Sequence, residues 1–145
     1  MRSTPPPDPP PVFFLDRCLG RNVVADTLEA QGVQVEVHDD HFSQDETDTE
    51  WLVEVGRRGW IVLTRDRNFD KNQIELKALY NSGTASFVLT GSQMTGPQMA
   101  GAFLSAMPAM LRCLKKLHLP FVARVTRAGK VKVHLTSSGI IRKLR

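Results

Sequence analysis

Short apolar runs alternate with amphipathic segments along this chain, and the alternation limits the folds open to it. Four runs have the length and composition of buried strands: residues 12–15, 33–37, 60–63 and 86–89. Apolar residues between them recur at helical spacing, which predicts three helices: residues 22–31, 48–58 and 72–80. Strands that alternate with helices predict a three-layer α/β fold, in which a mostly parallel central sheet is covered on both faces.

The remaining residues predict one long helix and a hairpin. Gly96 and Pro97 open an apolar stretch that extends to about residue 117, and proline suits the first turn of a helix. Pro108 lies inside this stretch, so we expect a kink there or a break into two helices. Residues 121–126 and 130–135 have the pattern of two strands joined by a short turn, which predicts a C-terminal β-hairpin.

Length and composition are typical of a single domain with its own core. The proline-rich residues 1–11 lack the apolar segment of a secretory signal, so we predict a disordered tail followed by one domain over residues 12–145. No apolar run approaches the roughly 20 residues that span a bilayer. Cys18 and Cys113 lack metal-ligand spacing, which favours buried free thiols in a reducing cytoplasm.

Charge is divided unevenly along the sequence. All 15 acidic residues lie between Asp8 and Glu75, whereas the last 70 residues contain 11 Lys and Arg and no acid. This division predicts one surface that concentrates carboxylates and another that attracts a polyanion, unless the charges interleave in the fold. The best candidates for the second surface are basic residues of the hairpin and the C-terminal segment: Arg124, Lys130, Lys132, Arg142, Lys143 and Arg145.

Acidic residues stand at the predicted carboxyl ends of the strands. Asp16 follows the first strand, Asp66 follows the third, and Asp48 opens the helix after the second. Since these ends meet at one edge of a parallel sheet, we expect the three carboxylates in one crevice. Clustered carboxylates repel each other, and their oxygens suit Mg²⁺ and Mn²⁺. A divalent ion held there would activate a water molecule and neutralise charge at a phosphodiester.

Other roles remain open for several polar residues near this edge. Asp48 and Asp66 could each cap a helix, and Thr64 could either orient a water molecule or pack at the edge of its strand. His38 and His41 could indicate zinc, but histidines in an acidic loop, here residues 38–47, are more often solvated.

The ordered motifs FFLDR (13–17), DTEWLVEVGRRGWIVLTRDRNF (48–69) and the helix that carries Glu75 resemble the PIN-like domains. More narrowly, they resemble the compact PIN-like proteins grouped with VapC-type toxins of toxin–antitoxin systems. The similarity covers roughly residues 12–89. It implies an Mg²⁺- or Mn²⁺-dependent endoribonuclease, with Asp16, Asp48 and Asp66 as catalytic metal ligands and Glu75 as a further ligand.

The resemblance also implies an RNA substrate and a cognate antitoxin protein, and a homodimer is compatible with it. The free thiols and the lack of a spanning apolar run predict a cytoplasmic location without a membrane. Arg17, Arg65 and Arg67 lie beside the acids in sequence, where they could hold phosphates or reduce the repulsion between carboxylates.

Two other functions are compatible with the sequence. PIN-like domains usually carry a further acid late in the sheet, and no acid follows Glu75 here, so the alternative is a PIN-like binding module without catalysis. A receiver-like phosphoacceptor also gathers aspartates at this edge around Mg²⁺. That class has paired acids after the first strand and a lysine that closes a later one, whereas Asp16 stands alone and no such lysine is evident.

Overall fold

The computed structural model of the chain describes residues 10–20, 22–68 and 71–145. Residues 1–9 of the predicted tail lie outside the described residues. The strands are β1 (Val12–Leu15), β2 (Gln34–Val37), β3 (Ile61–Thr64), β4 (Ala85–Leu89), β5 (Phe121–Val125) and β6 (Val131–Leu135). The helices are α1 (Val23–Ala30), α2 (His38–His41), α3 (Asp48–Arg57), α4 (Gln73–Ser82), α5 (Gly96–Lys116) and α6 (Ser137–Leu144), with a 3₁₀ turn over Arg17–Leu19. None of these helices combines the length and apolar character needed to cross a bilayer.

The six strands form one sheet in the order β2-β1-β3-β4-β5-β6. The first five are mutually parallel, and β6 pairs antiparallel with β5. The predicted α/β fold, with a mostly parallel sheet and a C-terminal hairpin, is therefore confirmed. Strand order reverses between β1 and β3, because the chain first adds β2 on one side of β1 and then adds β3 on the other. In open α/β sheets such a reversal leaves a crevice at the carboxyl ends of the two strands.

Adjacent residues of each strand point into two separate cores. Phe13 packs in the core that α1 and α5 form on one face, which we call face one. Phe14 packs in the core on the opposite face, face two, with residues of α3, α4 and α6. The central strands are buried on both faces, which explains why their sequences are continuous apolar runs rather than alternating ones.

Local signals set the ends of the helices. Thr47 and Thr95 begin α3 and α5 with reciprocal capping boxes, and Pro97 occupies the first turn of α5. Gly83 ends α4 in the left-handed conformation, with φ of 67°, which favours glycine. These signals are local in sequence, and the predicted boundaries of helices and strands agree with the structure within two residues.

The structure differs from the predicted helices at three places. Of the kink or break expected at Pro108, the break into two helices is absent, because α5 continues through this residue. Phe103, Ala106 and Met110 on either side of Pro108 are fully buried, and this packing outweighs the hydrogen bond that proline cannot make. The predicted loop 38–47 begins with the single turn α2, and the C-terminal segment forms α6.

Gly56 is placed where α3 crosses α4, and it provides a test of this packing. A Cβ atom at Gly56 would overlap the backbone carbonyl of Ser82, whereas one at Gly101 in α5 would meet open space. Gly56→Ala should lower the free energy of unfolding by about 1–3 kcal/mol. Gly101→Ala, the matched control, should raise it by about 0.5–1 kcal/mol because alanine favours the helix. Urea denaturation measures both, and equal effects would contradict the close helix contact.

Candidate metal centre

Asp16 lies at the strand reversal, directly after β1. Its backbone N–H donates to the carbonyl of Leu63 on β3 at 3.0 Å, so the residue is held against the neighbouring strand. Its side chain is 7% exposed. One carboxylate oxygen, Oδ1, accepts a hydrogen bond from the N–H of Arg17 at 2.6 Å. The chain therefore fixes both the position and the orientation of this carboxylate.

Thr64 connects two of the predicted ligands. Its side chain is fully buried, and its hydroxyl donates to Asp16 Oδ2 at 2.8 Å. The Thr64 hydroxyl oxygen in turn accepts a hydrogen bond from the backbone N–H of Asp66 at 3.1 Å. Its place at the edge of β3 agrees with the packing role considered from the sequence, but the hydroxyl also bridges the ends of β1 and β3. This bridge depends on a contact between residues 48 positions apart, which no local pattern indicates.

Two helices bring the other carboxylates to the same edge. Helices α3 and α4 follow β2 and β3, so both begin at the carboxyl edge of the sheet. Asp48 and Glu75 occupy the first turns of these helices, where the helix dipole favours negative charge. Thr47 rather than Asp48 caps α3, which leaves Asp48 to accept from the indole N–H of Trp51 at 3.0 Å. Asp66 Oδ1 accepts from the N–H of Asn68 at 2.9 Å in a local turn.

Three carboxylates converge as a result. Ligand atoms of Asp48, Asp66 and Glu75 all lie within 4.8 Å of one another. Among the residues that the structure describes, no Lys or Arg forms an ion pair with these acids or with Asp16. Three oxygen donors without a basic partner fit a hard divalent cation such as Mg²⁺ or Mn²⁺. PIN-like domains usually carry their further acid late in the sheet. Here Glu75, which lies earlier in the chain, supplies the third carboxylate of the group.

Burial and the proximity of other carboxylates raise the pKa values of two of the acids, Asp16 and Glu75. Burial raises the pKa of Glu75 above its ordinary value, and the charges of Asp48, Asp66 and Asp16 raise it further. Burial is also the largest influence on Asp16 and raises its pKa, as does the charge of Asp48, although the Thr64 hydrogen bond acts in the opposite direction. The protonated forms of Asp16 and Glu75 are therefore favoured relative to exposed carboxyl groups.

A cavity of about 850 Å³ opens onto these acids. Its lining includes Asp16, Asp48 and Asp66, the three predicted arginines, and the loop 91–93. Two of the arginines already have partners: Arg17 donates to the carbonyl of Gln44 at 2.6 Å, and Arg65 donates to the carbonyl of Gly91 at 3.0 Å. Arg67 is exposed and lines this cavity together with a second one.

The predicted basic residues of the C-terminal half occupy different positions. Lys130 and Lys132 belong to the hairpin, and Arg142 and Lys143 belong to α6, with Arg145 after it. None of them is among the residues that line the cavity at the acids. Lys132 pairs with Arg124 in the β5–β6 register, so these two side chains share one face of the sheet.

The histidines are not the solvated loop residues that the sequence predicts. His38 is 2% exposed and packs against the rings of Phe14, Phe42 and Trp51. His41 is half-buried, and its Nε2 lies 2.7 Å from Glu36 Oε2. These contacts give both residues structural roles, because the single turn α2 packs against the core of face two.

Cys18 differs from the prediction of a buried residue, since it is exposed, whereas Cys113 is partly buried. Although the residue as a whole is exposed, its thiol is partly buried in the site, where Sγ lies 3.5 Å from Asp16 Oδ2 and accepts from the N–H of Arg65 at 3.2 Å. Burial of the thiol and the charge of Asp16 raise the pKa of Cys18 to about 11. The thiol is therefore protonated at neutral pH and acts as a hydrogen-bond donor.

Comparison with known proteins relates this geometry to a family. Residues 11–91 match the family described as PIN like domain. The chain is also 24% identical over 125 residues to a Mycobacterium tuberculosis protein named "Putative ribonuclease VapC45", and the match covers 83% of this chain and 90% of that protein. No solved structure matches the chain significantly. The matched segment contains β1 to β4 and all four acids of the site.

Thr64→Val tests the hydroxyl bridge. The substitution removes the donor to Asp16 and the acceptor for Asp66, and it leaves a buried carboxylate short of one partner. The free energy of unfolding should fall by about 1–3 kcal/mol. Thr27→Val is the control, because the half-buried Thr27 donates only to the carbonyl of Val23 in its own helix, in a solvent-exposed hydrogen bond, and it should change stability by less than about 0.5 kcal/mol. Indistinguishable urea denaturation curves for the two variants would rule out the bridge.

Glu75→Gln tests the repulsion between the acids without metal. Because the pKa of Glu75 is raised in the folded chain, the folded protein binds more protons and loses stability as the pH rises from 4.5 towards that pKa. Glutamine has no charge and does not lose this stability as the pH rises. The variant should therefore have a Tm a few degrees above that of the wild type at pH 7 and a smaller difference at pH 4. Thermal melts in EDTA measure the difference. Glu29→Gln, at an exposed position of α1, should show no such pH-dependent gain.

Proposed function

This chain belongs to the PIN-like domain family, and from that premise we propose that it is a divalent-metal-dependent endoribonuclease, the toxin of a toxin–antitoxin pair. The observation that carries the proposal is the convergence of Asp48, Asp66 and Glu75, from three separate segments, within 4.8 Å. Each acid is positioned by an element that starts or ends at the reversal of strand order, where α/β folds bind their ligands.

The acids would hold Mg²⁺ or Mn²⁺, with Asp48, Asp66 and Glu75 as direct ligands and Asp16 beside them. A bound divalent cation supplies a Lewis acid that lowers the pKa of water and neutralises charge at a phosphodiester. Asp16 maintains negative potential at the floor of the cavity, where its hydrogen bonds to Thr64 and the Arg17 N–H prevent rotation.

An RNA substrate is supported by charge and by the relative. Arg67 is exposed at the mouth of the cavity, where a guanidinium can bind phosphate oxygens in two places. Lys130, Lys132, Arg142, Lys143 and Arg145 would add affinity for the backbone that does not depend on sequence. The name of the Mycobacterium tuberculosis relative specifies a ribonuclease, which favours RNA over DNA.

We propose the role as a toxin from the resemblance to VapC-type toxins, and the relative's name, which contains VapC, supports it. A ribonuclease of this kind needs a protein inhibitor in the same cell, so we propose a cognate antitoxin as its partner and a cytoplasmic location for both.

The second candidate is a PIN-like domain that binds nucleic acid or a partner without catalysis. It is favoured by one observation, the absence of any acid after Glu75. Glu75 itself argues for catalysis, because it supplies the third oxygen donor of the cluster. The two candidates differ in whether purified protein cleaves RNA.

Replacing single acids should abolish that cleavage. Asp48→Asn and Asp66→Asn keep the hydrogen bonds from Trp51 and Asn68 but remove the charge that a hard cation requires. Each should lower the rate of Mn²⁺-dependent cleavage of single-stranded RNA by at least about 100-fold, measured under single-turnover conditions. Asp26→Asn on the exposed surface of α1 is the matched control and should cleave at the wild-type rate.

Stabilisation by Mn²⁺ measures metal binding in the same proteins independently of cleavage. Saturating Mn²⁺ at 100 times its Kd should stabilise the wild type and Asp26→Asn by about 2.7 kcal/mol and leave Asp66→Asn unchanged. Wild-type cleavage that persists in EDTA would refute the metal mechanism, and metal binding without cleavage would favour the binding module.

A further inference from the structure

Strand β6 lies at one margin of the sheet and leaves its outer side open. Among the residues that the structure describes, it pairs only with β5, and it is the last strand in the order of the sheet. A strand in this position presents backbone N–H and C=O groups with which another extended segment can pair. We call the side of β6 away from β5 the outer edge.

The register of the hairpin indicates which backbone groups face the outer edge. The N–H of Thr126 donates to the carbonyl of Lys130 at 2.9 Å, so the backbone of Lys130 is directed towards β5. Hydrogen-bonded and non-bonded residues alternate along an antiparallel pair, so the backbone of Lys132 is directed towards β5 as well. The N–H and C=O groups of Val131 and Val133 therefore face the outer edge. The register shifts after Val133, and the regular part of the edge ends there.

Side chains along this part of β6 alternate between apolar and cationic. Val131 and Val133 point to face one, because their partners on β5 belong to the core of that face. Lys132 points to face two, as alternation along a strand requires, and its partner there is Arg124. Val133 is 39% exposed, and Lys132 is exposed. An added strand would therefore meet an apolar surface on face one and a cationic surface on face two.

A cavity lies beside the two valines on face one. It has a volume of about 290 Å³ and opens between α5 and β6. The side chains that α5 contributes to its apolar lining are all partly exposed: Ala109, Cys113 and Leu117. Arg112 and Lys116, both exposed, complete the lining from the same helix. The cavity therefore has room for an apolar side chain of an added strand, and its rim attracts a neighbouring acid.

We propose that the outer edge of β6 binds an extended segment of a partner protein, in which apolar residues alternate with acidic ones. The backbone of the segment pairs with Val131 and Val133, its apolar side chains cover the cavity on face one, and its carboxylates lie against Lys132 on face two. A nucleic-acid backbone fits less well, because it lacks the alternating donors and acceptors that a peptide offers. The outer edge contains none of the acids of the metal centre, so peptide binding and RNA cleavage can be measured separately.

Charge opposes a second copy of this chain at the same edge. Antiparallel registers that bond the outward valines of two copies place Lys132 opposite Lys130, Lys132 or His134 of the other copy. Like charges directly opposite each other destabilise a pair of strands. Lysine on an edge strand is one of the features by which sheets avoid pairing with themselves, whereas an acidic segment turns the same charges into attraction.

The test uses a labelled peptide of about seven residues, blocked at both ends, in which glutamate alternates with valine. Binding to the full chain is measured by fluorescence anisotropy. Lys132→Glu reverses one charge at the outer edge. Lys115→Glu is the matched control, because Lys115 is also exposed but lines a different cavity, away from β6.

Val133→Pro tests the backbone pairing. It removes an N–H that faces the outer edge and no hydrogen bond to β5, which is where edge strands accept proline. Val133→Thr is its control, since threonine keeps the N–H and the branched shape. Amide hydrogen exchange of the wild type, with and without peptide, reports on the same groups, so the test does not depend on the folding of the proline variant.

Lys132→Glu should raise the Kd of the peptide by about 5- to 30-fold, and Lys115→Glu should leave it within about twofold. Val133→Pro should raise it by about 3- to 10-fold, and Val133→Thr should raise it less. The peptide should slow exchange at the N–H groups of Val131 and Val133. A peptide of the same composition in which all glutamates precede all valines should not slow it.

Three results would overturn this proposal. Equal losses for Lys132→Glu and Lys115→Glu, without slower exchange at the valines, would indicate diffuse attraction. A wild-type dimer in sedimentation that Val133→Pro dissociates would assign the outer edge to a second copy. Binding of unstructured RNA that requires Lys132, with no slower exchange in the presence of the peptide, would assign it to nucleic acid. Failure of the wild type to cleave RNA in Mn²⁺ would contradict the proposed function and leave the peptide result unaffected.

Discussion

The hydrogen bond from the buried Thr64 hydroxyl to Asp16 joins the carboxyl ends of β1 and β3, the two strands between which the strand order reverses. Because that hydroxyl also accepts from the N–H of Asp66, one side chain fixes two of the four acids. The parallel pairing of β1 with β3 makes this possible, since it brings residues 48 positions apart to adjacent strand ends. The other two acids arrive on α3 and α4, which must begin at the same edge because they follow strands that end there.

The concentration of negative charge at this edge opposes folding unless a cation is bound. The raised pKa values of Asp16 and Glu75 express that opposition, and burial is the largest cause of each. Helix dipoles reduce it, since Asp48 and Glu75 lie in first turns, where the backbone N–H groups carry partial positive charge. With the proposed divalent cation, such an arrangement would exchange stability of the metal-free protein for affinity towards the ion.

The division of charge along the chain is not a division in space. Arg67 and Lys71 come from the acid-rich half and Arg124 comes from the half without acids, yet the three surround one cavity. That cavity borders the carboxylates on the same face of the sheet, so the change of sign occurs over the width of a few strands. A polyanionic strand laid across this edge would meet cations on one side of the acids. A polyanion surface at this edge would include residues from both halves, which a comparison of the two halves could not identify.

Patterns local in the sequence determined the strands, most helix boundaries and the acids at the strand ends, because side-chain periodicity and capping depend on neighbouring residues. They could not determine that Glu75 joins Asp48 and Asp66, that Thr64 bridges the strands, or that α5 continues through Pro108. Each of these depends on contacts between distant segments, whose geometry is set by the order of strands and the packing of helices on the sheet. The sequence by itself thus identified most of the candidate chemistry, and the tertiary structure decided which groups share a site.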